Sequence, residues 1–170
     1  MIVQPGVVYG PGDRSQTGGQ FERAALGKLP FLSFPEVGFS LAHVDDVAEG
    51  ILLAHDRGEI GHSYVFAGNV TRMREAIETI AAAGGTRPPR FAMPTWAMEA
   101  SIPFGRIVGK VMGVPPNLRE IVSASDGVTY WASSDRARRE LGYRPRDMRD
   151  GLAELARDIL GAHGRTPGAR

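Results

Sequence analysis

Gln4-Pro5-Gly6-Val7-Val8-Tyr9-Gly10-Pro11-Gly12-Asp13 decides how this chain is read. The residues from Ile2 to Tyr9 are rich in β-branched side chains and run directly into Gly-Pro-Gly-Asp, a strong turn signal, which predicts a strand delivered into a loop. Outward from there the elements alternate. Phe21, Ala24 and Ala25 form a short helical stripe that stops at Gly27. Phe31–Phe34 and Phe39–Val44 are strand candidates separated by Pro35 and Gly38. A helix follows, with Asp45 or Asp46 as N-cap, Glu49 three residues after Asp46, and Val47, Ile51 and Ala54 on one face. Ser63–Phe66 reads as a strand ending at Gly68-Asn69. Thr71 is placed to cap the next helix, in which Met73, Ile77, Ile80 and Ala81 share a face and which Gly84-Gly85 ends.

The second half is less regular. Arg90–Met93 reads as an extended piece. A helix is expected from about Thr95, kinked at Pro103 and ended near Pro115-Pro116, with Gly105, Gly109 and Gly113 as a close-approach face, and Leu118–Val122 as a further turn or two. Thr129–Ala132 is a strand candidate. Ser134 opens a short helix through Ala137 and Leu141, closed by Gly142 with Pro145 beyond. Met148, Leu152, Leu155, Ala156 and Ile159 mark an amphipathic helix. Residues 1–163 are read as one portion of a domain and 164–170 as a flexible tail.

Composition narrows the function classes. The 170 residues are 42% apolar and 23% charged, a globular balance. Glycine and proline make up one residue in five, 22 and 12, which favours short elements and many turns over a long-helix bundle. With no cysteine, disulfides, thiolate metal sites and a cysteine nucleophile are excluded. A formal charge of +1 gives no electrostatic case for nucleic acid. The start has neither the basic nor the apolar region of a signal peptide. The most apolar run, Phe91–Val114, is broken by Arg90, Glu99, Pro103, Arg106 and Lys110, so no membrane span and a cytoplasmic location are expected.

Direct searches remove several chemistries. A dinucleotide site of the usual kind needs Gly-x-Gly-x-x-Gly between a strand and a helix, so that a pyrophosphate can sit on exposed backbone N–H groups. Gly10-Pro11-Gly12-Asp13-Arg14-Ser15 lacks the third glycine. There is no phosphate-binding P-loop, and Gly61-His62-Ser63-Tyr64-Val65 lacks the last glycine of a serine-hydrolase elbow. His43 with Asp45 and Asp46 could be drawn as a metal cluster, but adjacent aspartates at a helix start serve as caps, and no second histidine stands at helical spacing; no metal is expected. The six arginines from Arg136 to Arg149 alternate with Asp135, Glu140, Asp147 and Asp150, which reads as a solvated mixed surface.

Three stretches in order resemble the extended short-chain dehydrogenase/reductase family, the NAD-dependent epimerases and dehydratases, over its C-terminal half only. Gln4–Asp13 is similar to the family's Arg-Pro-Gly-x-Val-Tyr-Gly-Pro-Gly strand and loop. Ala42-His43-Val44-Asp45-Asp46-Val47-Ala48 is close to its His-Val-Asp-Asp-Val-Ala helix start. Ser134-Asp135-Arg136-Ala137-Arg138-Arg139-Glu140-Leu141-Gly142-Tyr143-Arg144-Pro145 is like its late Ser-Lys-Ala-Arg-x-Glu-Leu-Gly-Tyr-x-Pro motif. The apolar helix expected around Trp96 looks like the dihydroflavonol-reductase-like and sterol-dehydrogenase-like branches more than the core sugar epimerases. The resemblance implies an α/β fold: the C-terminal part of a Rossmann-like protein, its last parallel strands plus a mainly helical substrate-binding subdomain. It implies NAD or NADP as cofactor and a sugar nucleotide or other small hydroxy or keto compound as substrate. Pro5, Gly6, Val7 and Val8 would pass the nicotinamide, the Pro-Gly pair allowing close backbone approach to a flat ring. Tyr9, Phe31, Ser33 and His43 would line the substrate pocket, although His43 as a core residue with one hydrogen bond needs no further role. Asp46 is read as a cap and not as catalytic.

The family's acid/base is a Tyr with a Lys four residues later, whose ammonium favours tyrosinate and grips the ribose. The residues four after Tyr9, Tyr64, Tyr130 and Tyr143 are Asp13, Gly68, Ser134 and Asp147. No catalytic residue is therefore assigned, and both the glycine-rich loop and the Tyr/Lys pair would precede Gln4. The expected molecule is a substrate-binding half, inactive and not binding cofactor alone, with a separate N-terminal half chain as partner and a homodimer left open. A non-catalytic ligand-binding or interaction remnant is the alternative. The Ile2–Tyr9 strand belongs in a parallel sheet covered on both faces, so the chain alone is expected to be marginally stable, aggregation-prone or dependent on another polypeptide.

Overall fold

Gly6 divides the first strand in two. In the computed structural model, which describes residues 1–93 and 129–166, β1 is Ile2–Pro5 and β2 is Val7–Tyr9. β1 pairs in parallel with β4 (Ser63–Phe66), Ile2 opposite Ser63; β2 pairs in parallel with β3 (Gly38–His43), Val7 opposite Leu41. At the switch the Gly6 N–H still bonds the Phe66 carbonyl at 2.9 Å, and a Cβ on Gly6 would lie 2.5 Å from Ser40 O. Only glycine lets the strand change partners there. Two residues past Phe66, the Gly68 N–H already bonds Leu41 O at 2.9 Å on the far edge of β3. Two residues span about 7 Å, too little to pass round β2, so β3 and β4 lie on the same edge of the Ile2–Tyr9 segment. β5 (Val70–Arg72) runs antiparallel to β3, and β6 (Thr129–Tyr130) pairs in parallel with it at Gly38–Phe39.

α1 (Gln16–Ala25) is capped by Ser15, whose Oγ accepts the Gly18 N–H at 3.1 Å. α2 (Val44–Arg57) connects β3 to β4. α3 (Met73–Ala83) ends at Gly84, and α4 (Met148–Ala162) is capped by Asp147, which accepts the Arg149 N–H at 2.8 Å. Between β6 and α4, Ala137–Leu141 form a π-helical turn closed by Gly142 at φ 77°, a left-handed position that suits glycine.

Four expectations are corrected. Phe31–Phe34 is not a strand: Phe34 has φ 48°, and only Leu32 bridges, to Ala92 in the Arg90–Met93 stretch. The α2 cap is neither aspartate but His43, whose Nδ1 accepts the Asp45 N–H at 3.3 Å, and Val44 belongs to the helix rather than to β3. Thr71 caps nothing. It lies in β5 opposite Phe39, with its hydroxyl donating to Glu75 Oε2 at 2.9 Å. Ala132 falls outside β6. The features expected from Thr95 to Val122 and at 167–170 lie outside the described residues.

Two apolar clusters result. The larger joins α1, α3 and α4 to β2 and β3 through residues such as Phe21, Leu41, Ile77, Ile80 and Leu152. The smaller, Ala54, Tyr64, Phe66, Ala137, Leu141 and Tyr143, seats α2 and the π-turn on β4. Among the described residues no helix is long and apolar enough to cross a membrane.

Candidate functional site

The first two motifs meet at the carboxyl ends of the parallel strands β2 and β3, the end at which open α/β sheets bind ligands. Tyr9 closes β2 with its ring edge-on to Phe21 (centroids 6.3 Å apart) and to His43 (5.3 Å). Its hydroxyl lies against α4, where a Cβ on Gly151 would fall onto it. Burial, then the nearby Asp46 carboxylate, push the Tyr9 pKa well above its ordinary value. Tyr9 is therefore a neutral wall of the site at any working pH.

Asp46 is a buried anion rather than a cap. Arg146 holds it twice, through its backbone N–H to Oδ2 and its Nε to Oδ1, each at 2.9 Å. The same guanidinium reaches Glu154 Oε2 at 2.7 Å and Asp45 Oδ2 at 3.7 Å. Burial works against the Arg146 charge, but the bond to Asp46 and the neighbouring Glu154 and Asp45 outweigh it and hold its pKa above the usual range. Arg146 thus locks the start of α2 to α4 across 100 residues of sequence. It was missed because the late motif stops at Pro145; the available signal was a lone arginine between that proline and the cap of α4. It is also the exception to the solvated arginine surface.

His43 is 1% exposed. Since Nδ1 accepts a backbone N–H, the neutral ring carries its proton on Nε2, and that atom has no partner among the described residues. In the loop after β2, a Cβ on Gly10 would lie 3.7 Å from Nε2. His43, Asp45 and Glu154 approach closely enough to suggest a cation site, but Arg146 already occupies the two carboxylates, and a metal would have to displace it.

The remaining sequence-predicted residues are dispersed. Pro5 and Val8 are exposed, Gly6 and Val7 half-buried, and Tyr9 and His43 buried together. Phe31 and Ser33 are half-buried on the turn before β3. Two clefts open nearby. One of about 400 Å³ lies under the loop Gly10–Arg14, between α1 and the end of α4, and is lined by Asp13, Glu22, Asp158 and His163 among others. A shallower one of about 570 Å³ follows β4 at Gly68, beside Trp131, Ser133 and Arg138.

No family model and no curated relative matches the sequence. Solved structures do. The protein gox2253 is 32% identical over 97% of this chain, with a TM-score of 0.72, and the match spans 50% of that protein. A nucleoside-diphosphate-sugar epimerase from Pseudomonas aeruginosa is 22% identical over 96% of the chain, with a TM-score of 0.69 and 48% of its own length matched. A dTDP-glucose 4,6-dehydratase from Bacillus anthracis, solved with NAD, is 16% identical over 95%, with a TM-score of 0.68 and 45% matched. The fold is the Rossmann-like α/β fold of the NAD-dependent epimerases and dehydratases, the extended short-chain dehydrogenase/reductases. The chain spans about half the length of the solved proteins it matches.

Proposed function

We propose that this chain forms the substrate-side half of an NAD(P)-dependent epimerase, dehydratase or reductase acting on a sugar nucleotide or another small hydroxy or keto compound. In this reading it works only with a companion half that carries the glycine-rich loop and the Tyr/Lys acid/base. One observation carries the reading: the outer edge of the Ile2–Tyr9 segment has no strand beside it among the described residues, although both its strands sit in parallel pairs. A parallel sheet ends this way where further strands belong.

In this reading the carboxyl end of the segment would meet the nicotinamide. Proline leaves no N–H at position 5 and Val8 is exposed, so the backbone groups of Pro5–Val8 that are not already paired with β3 and β4 would face a flat carboxamide. The bound cofactor would supply hydride chemistry. This chain's own residues would shape the pocket: Tyr9 and Phe31 as apolar walls, Ser33 as a hydroxyl, and His43 Nε2–H as a buried donor beside the Gly10 loop. None moves the proton of the reaction.

The test mixes the purified chain with the half of the 32%-identical relative that it does not match. Binding is followed by NADH and NADPH fluorescence, and activity by turnover of sugar-nucleotide substrates. Cofactor binding is expected from the pair and not from either half alone. Turnover of nicotinamide by this chain alone, or a pair that binds neither cofactor, overturns the proposal. Tight sugar-nucleotide binding by the chain alone, unchanged by the companion, would favour a non-catalytic binding module instead.

A further inference from the structure

His43 ends β3 and caps α2 through one ring nitrogen. The residue is 1% exposed, and Nδ1 takes the Asp45 N–H at 3.3 Å. The Asp45 carboxylate stands beside the same atom, with Oδ2 at 3.6 Å from Nδ1. In the neutral ring no hydrogen lies between these two, so a nitrogen lone pair faces an anionic oxygen. A proton on Nδ1 reverses both contacts. The nitrogen can then no longer accept the backbone N–H, and it donates to Oδ2 instead.

The charges around the ring favour that proton. Asp45 faces it from α2, and a Glu154 oxygen from α4 lies within 4.8 Å of both the ring and the Asp45 carboxylate. Together with Asp46, these carboxylates share one cation, Arg146, whose Nη2 is 3.7 Å from Asp45 Oδ2. Three anions against one guanidinium leave the group short of positive charge. β2 contributes only the neutral Tyr9 ring, edge-on at 5.3 Å, and the charges of its loop, Asp13 and Arg14, line the cleft between α1 and α4. Asp147, ahead of α4, accepts the Arg149 N–H. Burial and the positive end of the α2 dipole oppose an imidazolium, but a helix start acts on a charge less strongly than a carboxylate at this distance.

Val44 connects the ring to the loop. It stands between His43 and Asp45 in the chain, and its Cγ1 closes over Gly10, where a Cβ would fall 2.5 Å from it. We infer that His43 is a proton-operated switch at the base of the Gly10–Arg14 loop. Neutral, it caps α2 through the Asp45 N–H. Protonated at Nδ1, it holds the Asp45 carboxylate, draws it away from Arg146 and shifts Val44 beneath Gly10. Histidine is the side chain that changes charge between about pH 5 and 8. Nε2–H is present in both states, so the switch runs through Nδ1 alone. The inference uses contacts within this chain only and stands whether or not the half-fold reading does.

The test follows the histidine ring nitrogens of the full chain by long-range proton–nitrogen NMR from about pH 8 to about pH 5, reading the Asp45 and Gly10 backbone amides in the same samples. The expected result is the Nε2–H tautomer of His43 at the upper end and both nitrogens protonated at the lower. The Asp45 and Gly10 amide shifts should move with the same midpoint. Asp45→Asn removes the anion and keeps the backbone N–H. It should weaken proton uptake by His43 about tenfold, the low end for a neighbouring carboxylate because Asp45 is exposed. Asp56→Asn, exposed at the far end of α2, is the control and should leave the midpoint in place. His43→Asn supplies a cap that does not titrate and should hold the Asp45 and Gly10 amides still across the range. Circular dichroism checks each fold; should the buried His43→Asn variant unfold, the exposed Asp45 position decides. A His43 ring that keeps its neutral tautomer to the acidic end overturns the switch, as does a chain that unfolds before the ring titrates. Protonation with both amides unmoved, or with a midpoint indifferent to Asp45→Asn, overturns the exchange of partners and the switch with it.

Discussion

β3 and β1 are short apolar strands, each in a parallel pair, yet every residue of Gly38–His43 is buried and every residue of Ile2–Pro5 is exposed. Phe39 is 4% exposed and Ile2 59%. The residue types do not explain this; the neighbours do. β3 has β5 on one edge, β2 and β6 on the other, and a helical layer from α1, α3 and α4 packed around it. β1 has β4 on one edge, α2 on one face and nothing described beyond. The larger cluster is enclosed by described elements, whereas among the described residues the smaller one has no strand on the outer side of its sheet layer. A two-stranded parallel pair has little stability of its own, so the second region should respond to partners that leave the first indifferent.

The largest contrast should come from core truncation. Leu152→Ala in the larger cluster is expected to cost about 3 kcal/mol in urea unfolding, and Ile2→Ala less than about 0.5 kcal/mol in the chain alone. Similar costs at the two positions would erase the distinction. Next is the lock between the regions. Arg146→Ala strands the buried Asp46 carboxylate and is expected to cost about 2 to 3 kcal/mol, toward the lower end because Arg146 is itself partly exposed. A double-mutant cycle with Asp46→Asn should recover much of that loss; additive costs would mean the pair contributes no coupling. Gly50→Ala presses on Phe66 and should cost about 1 to 2 kcal/mol, lowering the unfolding temperature of the smaller cluster. An unchanged transition would show that α2 is free to lift off β4.

Tyr143 gives the smallest effect. Its hydroxyl is buried without a partner among the described residues, so Tyr143→Phe should change stability by no more than about 1 kcal/mol, in the stabilising direction. Burial, then the Asp46 charge, push its pKa up to about 12, and Tyr9 is raised for the same two reasons. In the unfolded chain tyrosine ionises near pH 10. The folded state therefore keeps its full stability below about pH 10 and loses it as pH climbs toward 12. Tyr143→Phe should flatten part of that alkaline loss; an identical pH profile would contradict the assignment.

Local patterns carried much of the fold into the sequence. The Ile2–Tyr9 run and its Gly-Pro-Gly loop, the stripes of α3 and α4, and the Gly142 stop each follow from residues within one turn or strand. What stayed hidden depends on distant pairing. β5 is a strand only because Thr71 lies opposite Phe39, and its sequence alone resembles a helix cap. The break at Gly6 is set by Ser40 and Phe66. His43 displaced two stronger capping residues because its buried ring already pointed at the Asp45 N–H. Of the site, Tyr9 and His43 were legible as neighbours through their motifs, while the Arg146 contact to Asp46 was not, since nothing local couples positions a hundred residues apart.

Native-state amide hydrogen exchange on the isolated chain addresses the smaller layer most directly. The account predicts that the amides at the two ends of β1, Ile2 bonded to His62 O and Gly6 bonded to Phe66 O, exchange at least about a hundredfold faster than those of β3, through openings that leave the larger cluster intact. Equal, globally limited protection of both strands would contradict it.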